Sequence, residues 1–202
     1  MADNLIIIWK DFIKGDQIAF KKLYDSCFDN LFLYGHQFSK DPETIKDIIQ
    51  NIFIKIWERK QSLKNVLTPK AYLMQVFRNQ MLNHIRSNKN NPISNIEIEE
   101  EHYSFSLEIP VELSIIEKER DNEVRKKLKL AIDSLTSKQK ELIYLKYIKN
   151  MEFNEISSIM KITTKSVYKL HNRTMVSLKN QMGNIDLLTL ISYLNWAWIL
   201  YK

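Results

Sequence analysis

Apolar residues recur at helical spacing along the first part of the chain. The clearest stripe follows Asp41 and Pro42 and has apolar residues three or four positions apart over three turns. Its members are Ile45, Ile48, Ile49, Ile52, Phe53, Ile56 and Trp57. This spacing predicts an α-helix with one apolar face, and an aspartate followed by proline is a typical helix start. Asp16 predicts an earlier helix start, and Thr68-Pro69 predicts a later one.

The second half of the chain predicts four more helices. One runs from about 114 to 134, and the next begins at Thr136, which has the spacing of a capping box with Gln139. A short helix at about 154–160 and a longer one at about 164–181 are separated by a three-residue turn. No stretch sustains an alternation of apolar and polar residues between turn residues, so the sequence predicts an all-α protein without a sheet.

An acidic segment separates the two helical parts. Residues 88–92 interrupt the helical pattern, and acids far outnumber bases from 92 to 123, whereas residues 134–182 are strongly basic. The acidic segment has no sustained period and predicts low order. The predicted divisions are a first helical domain, an acidic flexible linker, a second helical domain and a hydrophobic C-terminal tail, at residues 1–90, 91–113, 114–182 and 183–202.

Composition limits the chemistry open to the chain. Only 3 glycines occur, and no glycine-rich phosphate loop is present. Cys27 is the only cysteine, which excludes an internal disulfide and a cysteine-rich zinc site. The histidines lack metal-ligand spacing, and the first residues do not resemble a signal peptide. We therefore expect a cytoplasmic protein with no catalytic residues, no metal and no cofactor.

Residues 155–167 match a helix-turn-helix. The outward face of its second helix and the flank of that face carry long polar and basic side chains: Lys165, Tyr168, Lys169, Asn172 and Arg173. In a recognition helix, donors near the N-terminal end reach base edges while lysine and arginine neutralise phosphates. The pattern therefore favours DNA binding. The alternative is an ordinary helical hairpin with a solvated basic face.

Two further polar surfaces belong to the N-terminal helices. The face opposite the first apolar stripe carries Asp47, Gln50, Asn51, Ile54 and Glu58. An isoleucine ringed by amides and carboxylates is typical of a protein-docking patch, although single exposed isoleucines are also common. One edge of the next helix carries groups that hydrogen-bond to bases or stack on them: Tyr72, Gln75, Asn79, Asn83 and Arg86. The alternative for this edge is a polar solvent face.

Three segments, in this order, resemble the extracytoplasmic-function group of bacterial sigma factors. Residues 47–57 resemble the polymerase-binding helix of that family, residues 71–86 its −10 recognition helix, and residues 131–178 its −35 recognition domain. The run Ser166-Val167-Tyr168-Lys169 is similar to members from Bacteroidetes-type bacteria. The resemblance implies an alternative sigma factor, with sigma region 2 in the first domain and sigma region 4 in the second.

The resemblance also implies partners for each surface. The patch around Ile54 would meet the clamp helices of the β′ subunit of core RNA polymerase, and the polymerase β flap is a further expected contact. The loop from about Arg59 to Lys70 would, with the edge that begins at Tyr72, melt and hold −10 DNA. The −35 major groove would be contacted by Thr164, Lys165, Ser166, Tyr168, Lys169, Asn172 and Arg173. The acidic linker would thread the RNA exit path of the polymerase.

An anti-sigma factor, including a membrane-bound one, is a further partner that the resemblance implies, and no small-molecule substrate is expected. Two positions depart from the family pattern. Lys161 stands at the turn where glycine is usual, which would cost about 1 kcal/mol if the residue is left-handed. Leu170 stands where a basic residue is common, which predicts weaker −35 binding. The tail at 183–202 predicts packing against its own domain or a partner, with an interfacial membrane helix as the alternative.

Two other functions are compatible with the same residues. A stand-alone helix-turn-helix transcription regulator would bind duplex DNA without polymerase, whereas a sigma factor would bind its promoter weakly without it. A helical adaptor without DNA contact would be indifferent to loss of the Lys165 and Lys169 charges. Dependence on core RNA polymerase therefore distinguishes the sigma factor from the regulator, and the effect of removing the two lysine charges distinguishes the adaptor.

Overall fold

The computed structural model describes residues 2–88, 103–107 and 119–182, and every regular element in these ranges is a helix. The N-terminal part contains α1 (Ala2–Ile13), α2 (Gln17–Gly35), α3 (Pro42–Glu58), a short 3-10 helix (Lys60–Leu63) and α4 (Pro69–Asn88). The C-terminal part contains α5 (Glu119–Asp133), α6 (Ser137–Ile143), a π-helical segment (Tyr144–Ile148), α7 (Phe153–Met160) and α8 (Thr164–Met182). The all-α prediction is confirmed for these residues.

The helix starts that the sequence predicts are stabilised by side-chain caps. The carboxylate of Asp16 accepts hydrogen bonds from the backbone amides of Ile18 and Ala19, at 2.7 and 3.1 Å. At the start of α3, the hydroxyl of Thr44 donates to Asp41 at 2.7 Å and lowers the pKa of that carboxyl group. The amide of Glu43 also donates to Asp41, at 3.1 Å. The bonds from Ile18, Ala19 and Glu43 satisfy amides that a helix N-terminus would otherwise leave without partners.

The capping box at the start of α6 is also confirmed. The amide of Gln139 donates to the hydroxyl of Thr136 at 3.4 Å, and the amide of Thr136 donates to the side-chain oxygen of Gln139 at 2.9 Å. This reciprocal pair of hydrogen bonds caps the start of α6, as the sequence spacing predicts.

The chain divides into two compact units, the first dominated by residues before Ser104 and the second by those from Ser104 onward. In the first unit the predicted stripe of α3 is buried at Ile45, Ile49, Ile52, Phe53 and Ile56. Ile48 and Trp57, at the margins of the stripe, are only half-buried. The α3 stripe is therefore the central apolar surface of this unit.

Gly35 allows α2 to approach its neighbours closely. A Cβ atom at this position would lie 2.6 Å from Ile45 Cγ2 of α3 and 2.8 Å from Phe77 Cζ of α4. Both neighbours are fully buried, so neither could move away into solvent. The absence of a side chain at residue 35 thus lets α2, α3 and α4 share one core.

Tyr103 belongs to the core of the first unit, although it lies within the predicted linker. Its side chain is only 4% exposed and stacks on Phe38, with ring centroids 5.8 Å apart. The guanidinium of Arg78 lies 5.7 Å from the centroid of the Tyr103 ring. Tyr103 is therefore a buried residue within the predicted linker, while the rest of the 91–113 linker, apart from 103–107, lies outside the described residues.

The second unit is built on an unbroken buried run at the end of α6 and the start of the π-helical segment. Leu142, Ile143, Tyr144 and Leu145 are all fully buried. In the π-helical segment the amide of Lys149 donates to the carbonyl of Tyr144, five residues back, at 2.9 Å. The predicted helix from about 114 is described from Glu119 onward, and the 183–202 tail lies outside the described residues.

Phe105 and Leu107 are buried in the second unit, again within the predicted linker. The ring of Phe105 meets that of Tyr144 edge-on, with centroids 5.7 Å apart. The backbone amide of Phe105 donates to the hydroxyl of Ser137 at 3.3 Å. Two further residues of the predicted linker therefore belong to a folded core.

The turn between α7 and α8 is a Schellman motif with a lysine in the left-handed position. Lys161 has φ +54°, and the amide of Ile162 donates to the carbonyl of Ser157 at 3.1 Å. Thr163 then caps α8, because its hydroxyl accepts a hydrogen bond from the amide of Ser166 at 3.1 Å. The left-handed conformation anticipated for Lys161 is present.

Replacing Lys161 with glycine should stabilise the second unit. Glycine removes a left-handed penalty of about 1 kcal/mol, and the greater freedom of the unfolded chain offsets part of that gain. We expect the free energy of unfolding to rise by roughly 0.5 kcal/mol, measured by urea denaturation.

Lys169→Gly is the matched control, because Lys169 is exposed in the middle of α8. A glycine there should lower stability by about 0.5–1 kcal/mol. An equal loss of stability in both variants would show that the conformation of Lys161 carries no strain.

Candidate functional sites

The apolar residues that the sequence predicts for the inside of the helix-turn-helix are buried or half-buried. Ile156 and Ile159 of α7 and Val167 of α8 are fully buried, and Ile162 in the turn is half-buried. Further along α8, Thr174 and Leu178 are also buried. The inner face of α8 is thereby committed to its own unit, which leaves the opposite face for solvent or a ligand.

The outer face of α8 presents the predicted DNA-binding residues to solvent. All seven are exposed: Thr164, Lys165, Ser166, Tyr168, Lys169, Asn172 and Arg173. Within the described residues, Lys165, Lys169 and Arg173 form no ion pair with a carboxylate. Their charges are therefore available to an anionic partner. The first turn of α8 adds the exposed hydroxyls of Thr164 and Ser166.

Aromatic contacts hold the middle of α8 in one orientation. The hydroxyl of Tyr147 lies 2.9 Å from Nε2 of His171. The ring of Phe153 packs edge-on against His171, at 5.2 Å, and also contacts Tyr168, at 4.6 Å between centroids. Burial lowers the pKa of His171, so the imidazole is largely neutral near pH 7. His171 therefore supports the helix and is not one of its outward cations.

The outward face of α3 has the composition that the sequence indicates. Asp47, Gln50, Asn51 and Glu58 are exposed, and the side chain of Ile54 is 56% exposed between them. Ile52 and Ile56, two residues to either side, are buried in the core. Ile54 therefore adds nothing to the core and forms an apolar centre in a polar surface.

The predicted edge of α4 is more enclosed than a simple solvent face. Tyr72, Gln75, Asn79 and Arg86 are half-buried, and Asn83 is exposed. The ring of Tyr72 meets Trp9 of α1 edge-on, with centroids 5.9 Å apart. Burial raises the pKa of the Tyr72 hydroxyl, and the nearby cation of Arg59 opposes that shift.

The segment before α4 is a compact, basic loop. The side-chain amide of Gln61 donates to the carbonyl of Ile13 at 3.1 Å, and the ammonium of Lys60 lies 4.2 Å from the centroid of the Trp57 ring. Leu67 projects from this loop with 85% of its surface exposed. The sequence analysis did not single out Leu67, although an apolar residue in a polar, basic loop is a signal that the sequence contains.

Other site types are not found in the part of the chain that the structure describes. In residues 2–88, 103–107 and 119–182, no group of three or more histidine, cysteine, aspartate or glutamate side chains could hold a metal ion. In the same ranges, no helix is both long enough and apolar enough to span a bilayer.

Comparison with known proteins gives the family. The family model for Sigma-70 region 2 matches residues 23–91, and the model for Sigma-70 region 4 matches residues 125–178. The surfaces on α3 and α4 fall within the first match, and most of α8 falls within the second.

Two individual proteins are similar to this chain. One is a probable RNA polymerase sigma factor, RfaY of Xanthomonas campestris pv. campestris, 20% identical over 168 residues. The alignment covers 83% of this chain but only 41% of that protein. The other is CnrH, in its structure in complex with the cytosolic domain of CnrY, which is 17% identical with a TM-score of 0.56. That match covers 86% of this chain and 94% of CnrH and shows a shared fold.

With region 2 followed by region 4, the chain belongs to the sigma-70 family of RNA polymerase sigma factors.

Proposed function

We propose that the chain is an alternative sigma factor that binds core RNA polymerase and directs promoter recognition and transcription initiation. The observation that carries the proposal is the presence of region 2 and region 4 in one chain, in that order. A cytoplasmic location and the lack of a catalytic step follow from this function. We also propose the extracytoplasmic-function subgroup, of the Bacteroidetes type, on the resemblance of the three segments described above.

The α3 surface is proposed to bind the clamp helices of the polymerase β′ subunit. Docking would remove the exposed side chain of Ile54 from water, and burying an isoleucine contributes about 1.5–3 kcal/mol. Asp47, Gln50 and Asn51 would supply hydrogen bonds around it. An apolar centre with a polar rim is the usual composition of a protein interface.

The outer face of α8 is proposed to read the −35 element in the major groove. Lys165, Lys169 and Arg173 would neutralise phosphates, while the polar groups of the first turn would reach base edges. The contacts of His171 and Phe153 support this role, because they fix the orientation of the helix before DNA binds. A preformed helix loses less entropy on binding.

The α4 edge, with the basic loop before it, is proposed to hold −10 DNA. Unstacking a base costs a few kcal/mol, so the protein must supply new contacts to the exposed strand. Tyr72 offers an aromatic ring, and Gln75 and Asn79 offer amides that pair with base edges. The half-buried setting of these groups keeps them oriented.

Further partners are proposed on the family resemblance. They are the β flap of the polymerase and an anti-sigma factor, either soluble or membrane-bound. The matched structure holds CnrH in complex with the cytosolic domain of CnrY, which makes a protein partner for this fold a concrete expectation. The division of the chain at 1–90, 91–113, 114–182 and 183–202 is proposed on the same basis.

A stand-alone helix-turn-helix regulator is the second candidate function. The exposed, unpaired cations of α8 favour it equally, because any such protein would bind duplex DNA through them. The exposed Ile54 on α3 favours the sigma factor, since a regulator has no need of a polymerase-binding face.

Reconstituted run-off transcription distinguishes the two functions. Core RNA polymerase and genomic DNA fragments should yield transcripts with defined 5′ ends only when this protein is added. The reason is that start-site selection requires a factor that binds both polymerase and promoter. Tight promoter binding by the protein alone, with no effect on 5′ ends, would instead indicate a regulator.

Substituting the α3 face should abolish polymerase binding. Asp47→Ala combined with Ile54→Asp removes the proposed apolar contact and places a charge at its centre, at a cost above about 3 kcal/mol. We expect retention of core RNA polymerase on the immobilised protein to fall at least roughly 100-fold.

Ile18→Asp is the matched control, since Ile18 is a 69% exposed isoleucine on a different helix, α2. The control should retain polymerase at the wild-type level. Unchanged retention by the double variant would show that α3 is not the docking surface.

Removing one cation from the outer face of α8 should weaken promoter use without affecting polymerase binding. Lys169→Ala removes a phosphate contact, so run-off from a mapped promoter should fall several-fold and depend less steeply on salt. The control is Lys127→Ala, which removes an exposed lysine from α5. Equal loss of polymerase retention and transcription in Lys169→Ala would point to misfolding.

A further inference from the structure

The first helix, α1, carries more apolar residues than one buried face can hold. It contains four consecutive aliphatic residues, Leu5, Ile6, Ile7 and Ile8. Successive residues of an α-helix point about 100° apart, so four in a row face nearly every direction. Ile6 and Ile7 are accordingly 38% and 60% exposed, while Leu5 and Ile8 are half-buried. One side of α1 therefore presents an aliphatic surface to solvent.

A groove between α1 and α2 continues this aliphatic surface. The groove has a volume of about 430 Å³ and is lined by side chains from residues 4–11 of α1 and 16–26 of α2. Its apolar lining consists of Ile7, Ile8, Ile18 and Ala19. Ile18 lies in the first turn of α2 and is 69% exposed. At about 1.5 Å per residue, the lining of α1 extends over about 11 Å, which is two turns of a helix.

Acidic side chains border the groove, although the chain as a whole has a net charge of +6. The lining contains Asp11, Asp16 and Asp25 but only one lysine, Lys22. Asp11 forms an exposed ion pair with Lys14, and Asp16 caps the start of α2. Asp25 is exposed and forms no ion pair within the described residues. The α2 margin of the groove is therefore able to accept a cation.

The charge at the groove selects among the molecules that could occupy it. Nucleic acids and anionic membrane surfaces attract cationic protein surfaces, which is the opposite of what the groove offers. A second copy of the chain, related by two-fold symmetry, would bring the same acidic patch against itself. A protein segment with both apolar and basic residues is complementary in both respects. Two packed helices form a groove between them that accommodates a third helix, and an amphipathic helix is a common occupant of such grooves.

We propose that this groove binds an amphipathic helix of a partner protein. Aliphatic side chains of that helix, three and four positions apart, would pack on Ile7 and Ile18, and a lysine or arginine beside them would meet Asp25. This binding site goes beyond the sigma-factor function, because none of its residues belongs to the surfaces proposed for polymerase, −10 DNA or −35 DNA. Its occupation requires neither polymerase nor promoter.

Binding of two synthetic peptides to the full-length protein tests the site. Both are helical peptides of about 14 residues with leucines along one face, and the margins of that face carry lysines in one peptide and glutamates in the other. Titration calorimetry gives the affinities, and chemical-shift changes of the backbone amides locate the peptide. The comparison is demanding, because the net charge of +6 would favour the glutamate peptide if only long-range attraction acted.

The lysine peptide should bind saturably, at least about tenfold more tightly than the glutamate peptide, and shift amides in residues 4–11 and 16–26 most. Ile18→Lys removes an apolar contact and adds a repelling charge, so it should weaken the lysine peptide at least about tenfold. Asp25→Asn should reduce the preference for lysines about threefold. Leu130→Lys is the matched control, because Leu130 is 67% exposed on α5, and it should bind as wild type.

Several outcomes would overturn the proposal. They are no saturable binding of the lysine peptide, equal or tighter binding of the glutamate peptide, and equal effects of Ile18→Lys and Leu130→Lys. A dimer in sedimentation that Ile18→Lys dissociates would make a second copy the occupant. Binding of the lysine peptide only after Trp196 and Trp198 are both replaced by serine would make residues 183–202 the occupant. Each of these failures leaves the sigma-factor function intact, because the assays contain neither polymerase nor promoter DNA.

Discussion

Burial of the α3 stripe is the interaction on which the N-terminal surfaces depend. Because α3 has five residues committed to the core, its rotation about its own axis is fixed, and the polar face must point outward. Ile54 is then exposed as a consequence of register, since its neighbours in the helix at Ile52 and Ile56 are buried. The same core positions α4, since Phe77 of α4 and Ile45 of α3 both lie close to Gly35 of α2. The proposed docking surface and the proposed −10 surface are thus positioned by one set of contacts.

Local sequence signals predicted much of this arrangement, because caps and stripes are local. Asp16, Asp41 and Thr136 each stabilise the helix start that the sequence indicates. Lys161 has the left-handed backbone conformation that the sequence analysis considered for this turn. A short turn between two helices often requires such a residue. Exposure of the outer face of α8 followed from the 3.6-residue period alone.

The features that were missed depend on contacts distant in sequence. Tyr103, Phe105 and Leu107 alternate with polar residues over only five positions in an acidic segment, a run too short to predict that they are buried. Their burial requires surfaces such as Phe38 and Tyr144, more than thirty residues away in either direction. The exposure of Leu67 is likewise a tertiary property, because leucine in a loop is usually covered by its neighbours.

The two kinds of surface differ in physical character, and the proposed function needs both. Contacts between lysine and phosphate are strong but insensitive to base sequence, and they weaken steeply with salt. The apolar contact proposed for Ile54 is nearly independent of salt. A factor anchored through α3 would present α8 and the α4 edge to promoter DNA at a high effective concentration, so that contacts too weak to act alone would act together. In the proposed function, the modest basic face of α8, in which Leu170 occupies a position often basic in the family, would act together with the α3 contact and not alone. Specificity would then come from simultaneous contact with polymerase and DNA.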